Sequence, residues 1–334
     1  MIYIGIDLGG TMIAAGAIDL KGNILAEAST ATIAQRDYRE IVRDMAACAL
    51  RALERSGRGM DEVEALGIGI PGIADNATGR VIFCTNLGWH DIPLRKELQK
   101  YISKPVFIDN DATVAGLAES VAGVSAGAAS SVFLTLGTGV GGGIVINGKP
   151  WTGAHGVASK LGHLTMEMDG LPCTCGKRGC VEQYCSATAL IRMGREAVSM
   201  HPDSLILQRA GKPEKISGKI IIDCAKEGDP LAAKVFDRYT DYLALAINSI
   251  VSFMDPEVIV LGGGISMAGQ FLLDAVNEKM PRYLMFKTMP YGRVELAVLG
   301  NGAGIIGAAM LGMILKEVNP CETDRNRIPV QTHA

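Results

Sequence analysis

Four residues within a span of eighteen can hold a soft or borderline metal ion: His163, Cys173, Cys175 and Cys180, in the stretch LGHLTMEMDGLPCTCGKRGCVEQY from Leu161 to Tyr184. Thiolate sulfur and imidazole nitrogen in a Cys3His set are donors that tetrahedral zinc takes. Four ligands on short loops leave no open position, so the expected site is structural. Gly176 and Gly179 stand where a chain must turn sharply around an ion. The alternative, ordinary buried thiols, fits poorly with the polar neighbours Glu167, Asp169, Lys177 and Arg178. A disulfide is disfavoured, because Cys173 and Cys175 are too close to pair easily and no secretory signal is read ahead of the first strand. Lys160 and Glu182 flank the ligands, so whatever pins this loop also pins those two side chains.

Three glycine turns offer a second kind of chemistry. In DLGGT (Asp7 to Thr11) and LGTGVGGG (Leu136 to Gly143), the glycines Gly9, Gly10, Gly137 and Gly139 let backbone N–H groups surround a phosphate. Thr11 and Thr138 add hydroxyl donors, and Asp7 at a strand end suits a hydrated magnesium ion. A third turn, LGGGIS, carries Gly262, Gly263 and Gly264 and suits the flat face of adenosine. No lysine lies in the first two turns, which disfavours the usual P-loop. The G-x-G-x-x-G at residues 137–142 runs into the strand-like IVING and not into a helix, which rules out a dinucleotide fingerprint. Asp111 opens a predicted helix, whose positive end keeps a carboxylate ionised, as a general base requires. A plain helix-capping role is the alternative for it.

The elements that position these residues are legible in outline. Residues 2–7, 12–19 and 24–31 read as three strands at a spacing short enough to make them antiparallel neighbours. Tyr38, Ile41, Met45, Ala49 and Leu53 recur at helical spacing. A strand at 63–70 ends in GIGIPG, a short helix is expected over 94–101 and a strand over 105–109, and the Asp111 helix runs to about Ala122. From about 129 the strand–glycine turn–strand logic repeats. Asp229-Pro230 launches a long helix with Leu231, Val235, Leu243, Ile247 and Val251 on its apolar face. A strand at 257–261 leads into LGGGIS, and a last helix spans about 302–316, followed by a polar tail from Pro320 that is expected to fray.

With 334 residues, about two domains are expected. Thirty-two Lys+Arg against thirty-five Asp+Glu give a net charge of -3, so no basic excess recruits nucleic acid. No apolar run reaches the roughly 18 residues of a membrane span, so no membrane partner is expected. Eight cysteines without a secretory signal point to a reducing cytoplasm.

DLGGT, GIGIPG, NLGW, NDA, LGTGVGGG, GH followed by CTCGKRGCVE, and LGGGIS occur in the order found in the ROK family, over residues 2 to about 316. The sequence resembles that family, which groups sugar kinases with sugar-responsive repressors in the actin-like ATPase superfamily. The resemblance implies an α/β, two-lobed actin-like (ribonuclease H-like) ATPase fold with an interlobe cleft and a zinc loop. The implied small lobe is residues 1–118 plus about 302–334, and the large lobe, with the zinc loop, is 119–301. It also implies a homodimer, ATP, Mg2+ and structural Zn2+ as cofactors, and γ-phosphoryl transfer to the 6-hydroxyl of a free hexose. By position, Asp111 matches the catalytic base, and Asn86, Asn110, Asp111, Lys160, His163 and Glu182 match sugar contacts, with His163 doubling as a zinc ligand.

Where the family reads GEIGH or GELGH, residues 159–163 are SKLGH, so Ser159 and Lys160 replace Gly and Glu. PWTGAHGVA resembles the allose kinase branch and NLGWHDIPL the glucokinases, making glucose and allose the leading sugars. N-acetylmannosamine and fructose are the alternatives within the family. A sugar-sensing repressor is disfavoured because such proteins carry a helix-turn-helix ahead of the DLGGT strand, which here begins at residue 2. Retention of Asp7, Thr11, Asp111 and Thr138 argues against an inactive scaffold.

Overall fold

The computed structural model describes residues 1–317; the tail expected to fray from Pro320 lies outside them. The chain opens with strands β1 (Ile2–Leu8), β2 (Met12–Ile18) and β3 (Ile24–Ala31), then helix α1 (Tyr38–Arg55) and β4 (Val63–Ile70). Short strands β5 (Ile73–Asp75), β6 (Arg80–Cys84) and β7 (Trp89–Ile92) follow, and α2 (Leu94–Leu98) leads to β8 (Val106–Asn110) and α3 (Asp111–Ala122). Strands β9 (Ser130–Leu136), β10 (Val140–Ile146) and β11 (Lys149–Pro150) precede the metal-ligand loop. Helices α4 (Glu182–Cys185), α5 (Ala187–Met200), α6 (Leu205–Ala210), α7 (Gly218–Lys226) and α8 (Pro230–Met254) come next. The chain closes with β12 (Val258–Gly262), α9 (Gln270–Tyr283), β13 (Arg293–Leu296) and α10 (Ala303–Glu317). No described helix is long and apolar enough to cross a membrane.

The chain divides into two units, one of Met1–Ala126, Gly148–Ser159 and the segment from Asn301, the other of Gly127–Asn147 and Lys160–Gly300. The first boundary therefore falls eight residues beyond the expected 118, and residues 148–159 join the first unit. Helix α3 runs unbroken through residue 118 to Ala122 and packs on α10, so a cut at 118 would sever a continuous helix. The Glu119 carboxylate then accepts the Val124 N–H at 3.0 Å, folding the end of α3 back on itself.

In the first unit the sheet order is β3-β2-β1-β4-β8. Strands β1, β2 and β3 form the antiparallel meander expected from their short turns, and β4 and β8 run parallel to β1. The β2–β3 turn is fixed by Asp19, whose Oδ1 accepts the Lys21 and Asn23 N–H groups at 2.8 and 2.9 Å. Helix α1 is capped by Asp37 and buries Ile41, Val42, Met45, Ala46, Ala49 and Leu53. Each large aliphatic side chain of that stripe contributes about 1.5–3 kcal/mol by leaving water. Strands β5, β6 and β7 form a separate antiparallel sheet that periodicity did not reveal.

Helix α10 returns to the first unit and lies against β1, β4 and α3. It sits so close that a Cβ at Gly5 would come within 1.9 Å of the Ile305 carbonyl oxygen, and one at Gly67 within 1.7 Å of that of Ala308. Backbone rests on backbone there, and neither side can yield like a flexible side chain. Gly67→Ala is therefore expected to destabilise the protein by about 3 kcal/mol or more, the upper range for overpacking. Denaturant unfolding checks this; a loss below about 1 kcal/mol would mean that α10 can slide.

The second unit has its own apolar core and its own sheet, in which β10 pairs antiparallel with β9, and β12 runs parallel between β9 and β13. Helix α8 begins as expected, with Asp229 Oδ1 accepting the Ala232 N–H at 2.7 Å and Pro230 in the first turn. Val235, Leu243 and Ile247 are fully in the core, while Leu231 and Val251 pack at its margin.

Candidate functional site

The parallel register of β1, β4 and β8 pairs Asp7 with Gly69, Gly69 with Asp109, and Ile70 with Asn110. The DLGGT turn and the Asn110–Asp111 step thus leave the carboxyl ends of neighbouring parallel strands, the usual place for ligands in open α/β sheets. The N-cap of α3 is Asn110, whose Oδ1 accepts the Ala112 N–H at 3.1 Å while its Nδ2 donates to the Gly72 carbonyl at 3.0 Å. Asp111 occupies the first helical position, its Oδ1 accepting the Ala112 N–H at 2.8 Å. Capping therefore falls to Asn110, and Asp111 sits where the helix favours an anion. Behind them, Asn76 Oδ1 accepts the Ile108 N–H at 3.1 Å, and Arg95 donates to the carbonyls of Val106, Ala77 and Asn76. Sequence reading missed Asn76 and Arg95, since no local pattern marks a side chain that braces a distant strand.

Burial, and secondarily the charge of Asp111, pushes the Asp7 carboxyl up to about 6. Two carboxylates within electrostatic reach form a place where a cation relieves repulsion. Gly304 in α10 makes room for Asp7, because a Cβ there would lie 2.3 Å from Asp7 Oδ2. The turn that carries Gly9, Gly10 and Thr11 is held from below by buried Thr32. Its hydroxyl donates to the Gly9 carbonyl at 2.7 Å, and its N–H donates to the Thr11 carbonyl at 2.9 Å. Asn86 is exposed on the Thr85–Leu87 turn, its Cβ 3.5 Å from the position a Gly10 Cβ would take. The structure thus brings Asp7, Gly9, Gly10, Thr11, Asn86, Asn110 and Asp111 to one end of the first sheet.

In the second unit, β12 pairs with β9 so that Gly262 faces Thr135, and Gly263 (φ 83°) lies against the backbone of Leu136. This places Gly262, Gly263 and Gly264 beside the turn of Gly137, Thr138 and Gly139. Glu182 reaches that turn from α4, with Oε2 accepting the Val140 N–H at 3.0 Å. A Cβ at Gly139 would come within 2.3 Å of the same oxygen, so glycine there leaves room for the Glu182 carboxylate on the turn. The Ala187 N–H donates to the Gly137 carbonyl at 2.8 Å and the Thr188 hydroxyl to the Thr138 carbonyl at 2.7 Å. No local sequence pattern marks Thr188.

The four expected metal ligands converge. His163 Nδ1 is 3.7 Å from Cys173 Sγ, Cys175 Sγ is 3.6 Å from Cys180 Sγ, and all four ligand atoms lie within 4.8 Å of one another. A tetrahedral zinc ion with Zn–S bonds of about 2.3 Å sets its sulfurs about 3.8 Å apart, so the donors fit the ion. Gly176 and Gly179 both adopt left-handed backbone, as the sharp turns require. Burial opposes ionisation of Cys175, but the Lys177 N–H, the neighbouring thiols and the Lys177 charge outweigh it and lower its pKa. Burial and the same sulfur neighbours push Cys180 up to about 12. Glu167 clamps the loop to α8, accepting from Tyr184 Oη at 2.9 Å and Tyr242 Oη at 2.8 Å.

One zinc ion per chain is expected to copurify, and Cys175→Ala to lose it. Metal analysis checks this; folded, active protein free of metal would contradict it.

Lys160 is half-buried just ahead of the Leu161–His163 turn, its carbonyl accepting the His163 N–H at 2.9 Å. Ser159 is buried with φ 65°, a left-handed conformation that explains a glycine at this family position. Its hydroxyl donates to the Trp151 carbonyl at 2.8 Å, which offsets part of the backbone cost.

Residues 3–313 match the ROK family. The chain is 38% identical to a glucokinase of Thermotoga maritima, over 92% of this chain and 96% of that protein. Its fold is similar to that of a ROK family glucokinase from Streptomyces griseus in complex with glucose and AMPPNP, with a TM-score of 0.81 and 36% identity, covering 94% of this chain and 100% of that one. A ROK hexokinase from Thermus thermophilus is as similar in fold, with a TM-score of 0.81 and 33% identity over 96% of this chain and 100% of that one.

Proposed function

The chain belongs to the ROK family, and from that premise we propose that it transfers the γ-phosphoryl group of ATP to the 6-hydroxyl of glucose. The observation that carries the reading is the placement of Asp111. It lies at the positive end of α3, in electrostatic reach of Asp7, with the cap supplied by Asn110. Phosphoryl transfer needs positioning and charge neutralisation more than covalent chemistry, so one base and well-aimed donors suffice.

Asp111 accepts the proton of the sugar 6-hydroxyl as it attacks. Asp7 would hold Mg2+ through its water shell, and the ion would supply charge neutralisation for the transferring phosphoryl group. The turns of Gly9, Gly10 and Thr11 and of Gly137, Thr138 and Gly139 cradle phosphates with backbone N–H groups, and Gly262 to Gly264 lie along the adenosine. Asn86, Asn110, Lys160, His163 and Glu182 bind sugar hydroxyls. Zinc held by His163, Cys173, Cys175 and Cys180 would fix the loop that carries Lys160, His163 and Glu182. A homodimer is part of this reading.

Glucose is preferred over allose because glucokinases 36–38% identical to this chain are among its relatives and the NLGWHDIPL stretch resembles theirs. Steady-state kinetics with ATP against glucose, allose, fructose and N-acetylmannosamine test this, with the highest kcat/KM expected for glucose. Lys160→Glu exchanges a donor for an acceptor and is expected to raise glucose kcat/KM by about tenfold. A higher kcat/KM for another sugar would reassign the substrate.

A further inference from the structure

The Gly137–Gly139 turn is held by its carbonyl groups. The Gly137 carbonyl accepts from the first N–H of α5, and the Thr138 carbonyl accepts from the hydroxyl of Thr188, the second residue of that helix. Beyond the turn, Glu182 takes the Val140 N–H. Turning the carbonyls toward α5 leaves the Thr138 and Gly139 N–H groups without a partner among the described residues. Peptide groups are planar, so fixing where a C=O points also fixes where the N–H of the next residue points. A hydroxyl on the Thr138 carbonyl thus aims the Gly139 N–H.

Glu182 follows the ligand Cys180 by two residues, and its second oxygen lies 3.9 Å from Cys173 Sγ. The same short stretch that ligates the metal therefore grips the turn at its other end. We propose that Thr188 is a positioning residue for the nucleotide, orienting the turn that receives ATP phosphates, and that Glu182 makes this orientation depend on the metal loop. The proposal rests on the reading of this turn as a phosphate cradle.

Thr188 is exposed, so its replacement leaves the core intact. The test is titration of Thr188→Val and Thr188→Ser with AMPPNP in the absence of sugar, by calorimetry. Thr188→Val is expected to bind about tenfold more weakly, the scale for one lost hydrogen bond, and Thr188→Ser within about twofold of the parent. In turnover, Thr188→Val raises the ATP KM and leaves kcat at saturating ATP and the glucose affinity within about threefold, a split that general loosening would not produce. Removing the metal with a chelator, under conditions where circular dichroism shows the fold retained, is expected to weaken AMPPNP binding as well. Gly139→Ala, whose new Cβ displaces Glu182, serves as the reference. If it weakens AMPPNP binding while Thr188→Val does not, the role of Thr188 is overturned and the cradle stands. If neither variant weakens binding, the cradle falls and the proposal with it. Unchanged AMPPNP affinity after metal removal overturns the link through Glu182.

Discussion

Asp111→Asn is expected to lower kcat by about 10²-fold or more, the scale for loss of a general base, with AMPPNP affinity and thermal stability close to the parent. Asparagine keeps the shape of the side chain and removes the proton acceptor. The helix does not depend on the exchange, because Asn110 accepts the Ala112 N–H and anchors the preceding loop through Gly72. The loss should therefore appear in kcat and kcat/KM together, as for an interaction made only in the transition state. Turnover near the parental value would remove Asp111 from the chemistry and return it to a helix-end anion.

Asp7→Asn is expected to have two effects of opposite sign: activity falls by about 10²-fold or more, and the metal-free protein becomes more stable at neutral pH. The carboxyl is raised from 3.8 to about 6 by burial and then by Asp111, so the fold disfavours its charged form. Between these two values the folded state binds more protons than the unfolded state, and stability falls as pH rises. The cost is complete above about pH 6 and absent below about pH 4. With a discount for the partial solvent access of Asp7, it amounts to about 1–2 kcal/mol. Thermal unfolding without Mg2+ should then give a higher Tm for Asp7→Asn at pH 7.5 and similar values near pH 4. A lower Tm at pH 7.5 would show that the parental carboxylate is stabilised and not strained.

The residues that do chemistry were the most legible part of the sequence. Metal ligands and phosphate turns depend on residue type at short spacing, and His163 with three cysteines within eighteen residues leaves few other readings. Long elements were legible for the same reason: α8 has a cap, a first-turn proline and a sustained apolar stripe. The sheet of β5, β6 and β7 was missed because strands of three to five residues carry too little alternation. Thr32, Asn76, Arg95 and Thr188 were missed for a different cause. Each acts on backbone 11 or more residues away, through hydrogen bonds that only the folded chain creates. Asp111 lies between these cases: its position was visible, but only the structure shows that the cap falls to Asn110.

Phosphorus NMR of a reaction containing the purified protein, ATP, Mg2+ and glucose follows the phosphoryl transfer itself. The γ-phosphate resonance of ATP is expected to disappear as glucose 6-phosphate and ADP appear in equal amounts. Release of inorganic phosphate without a sugar phosphate, or phosphate on a hydroxyl other than the sixth, would contradict it.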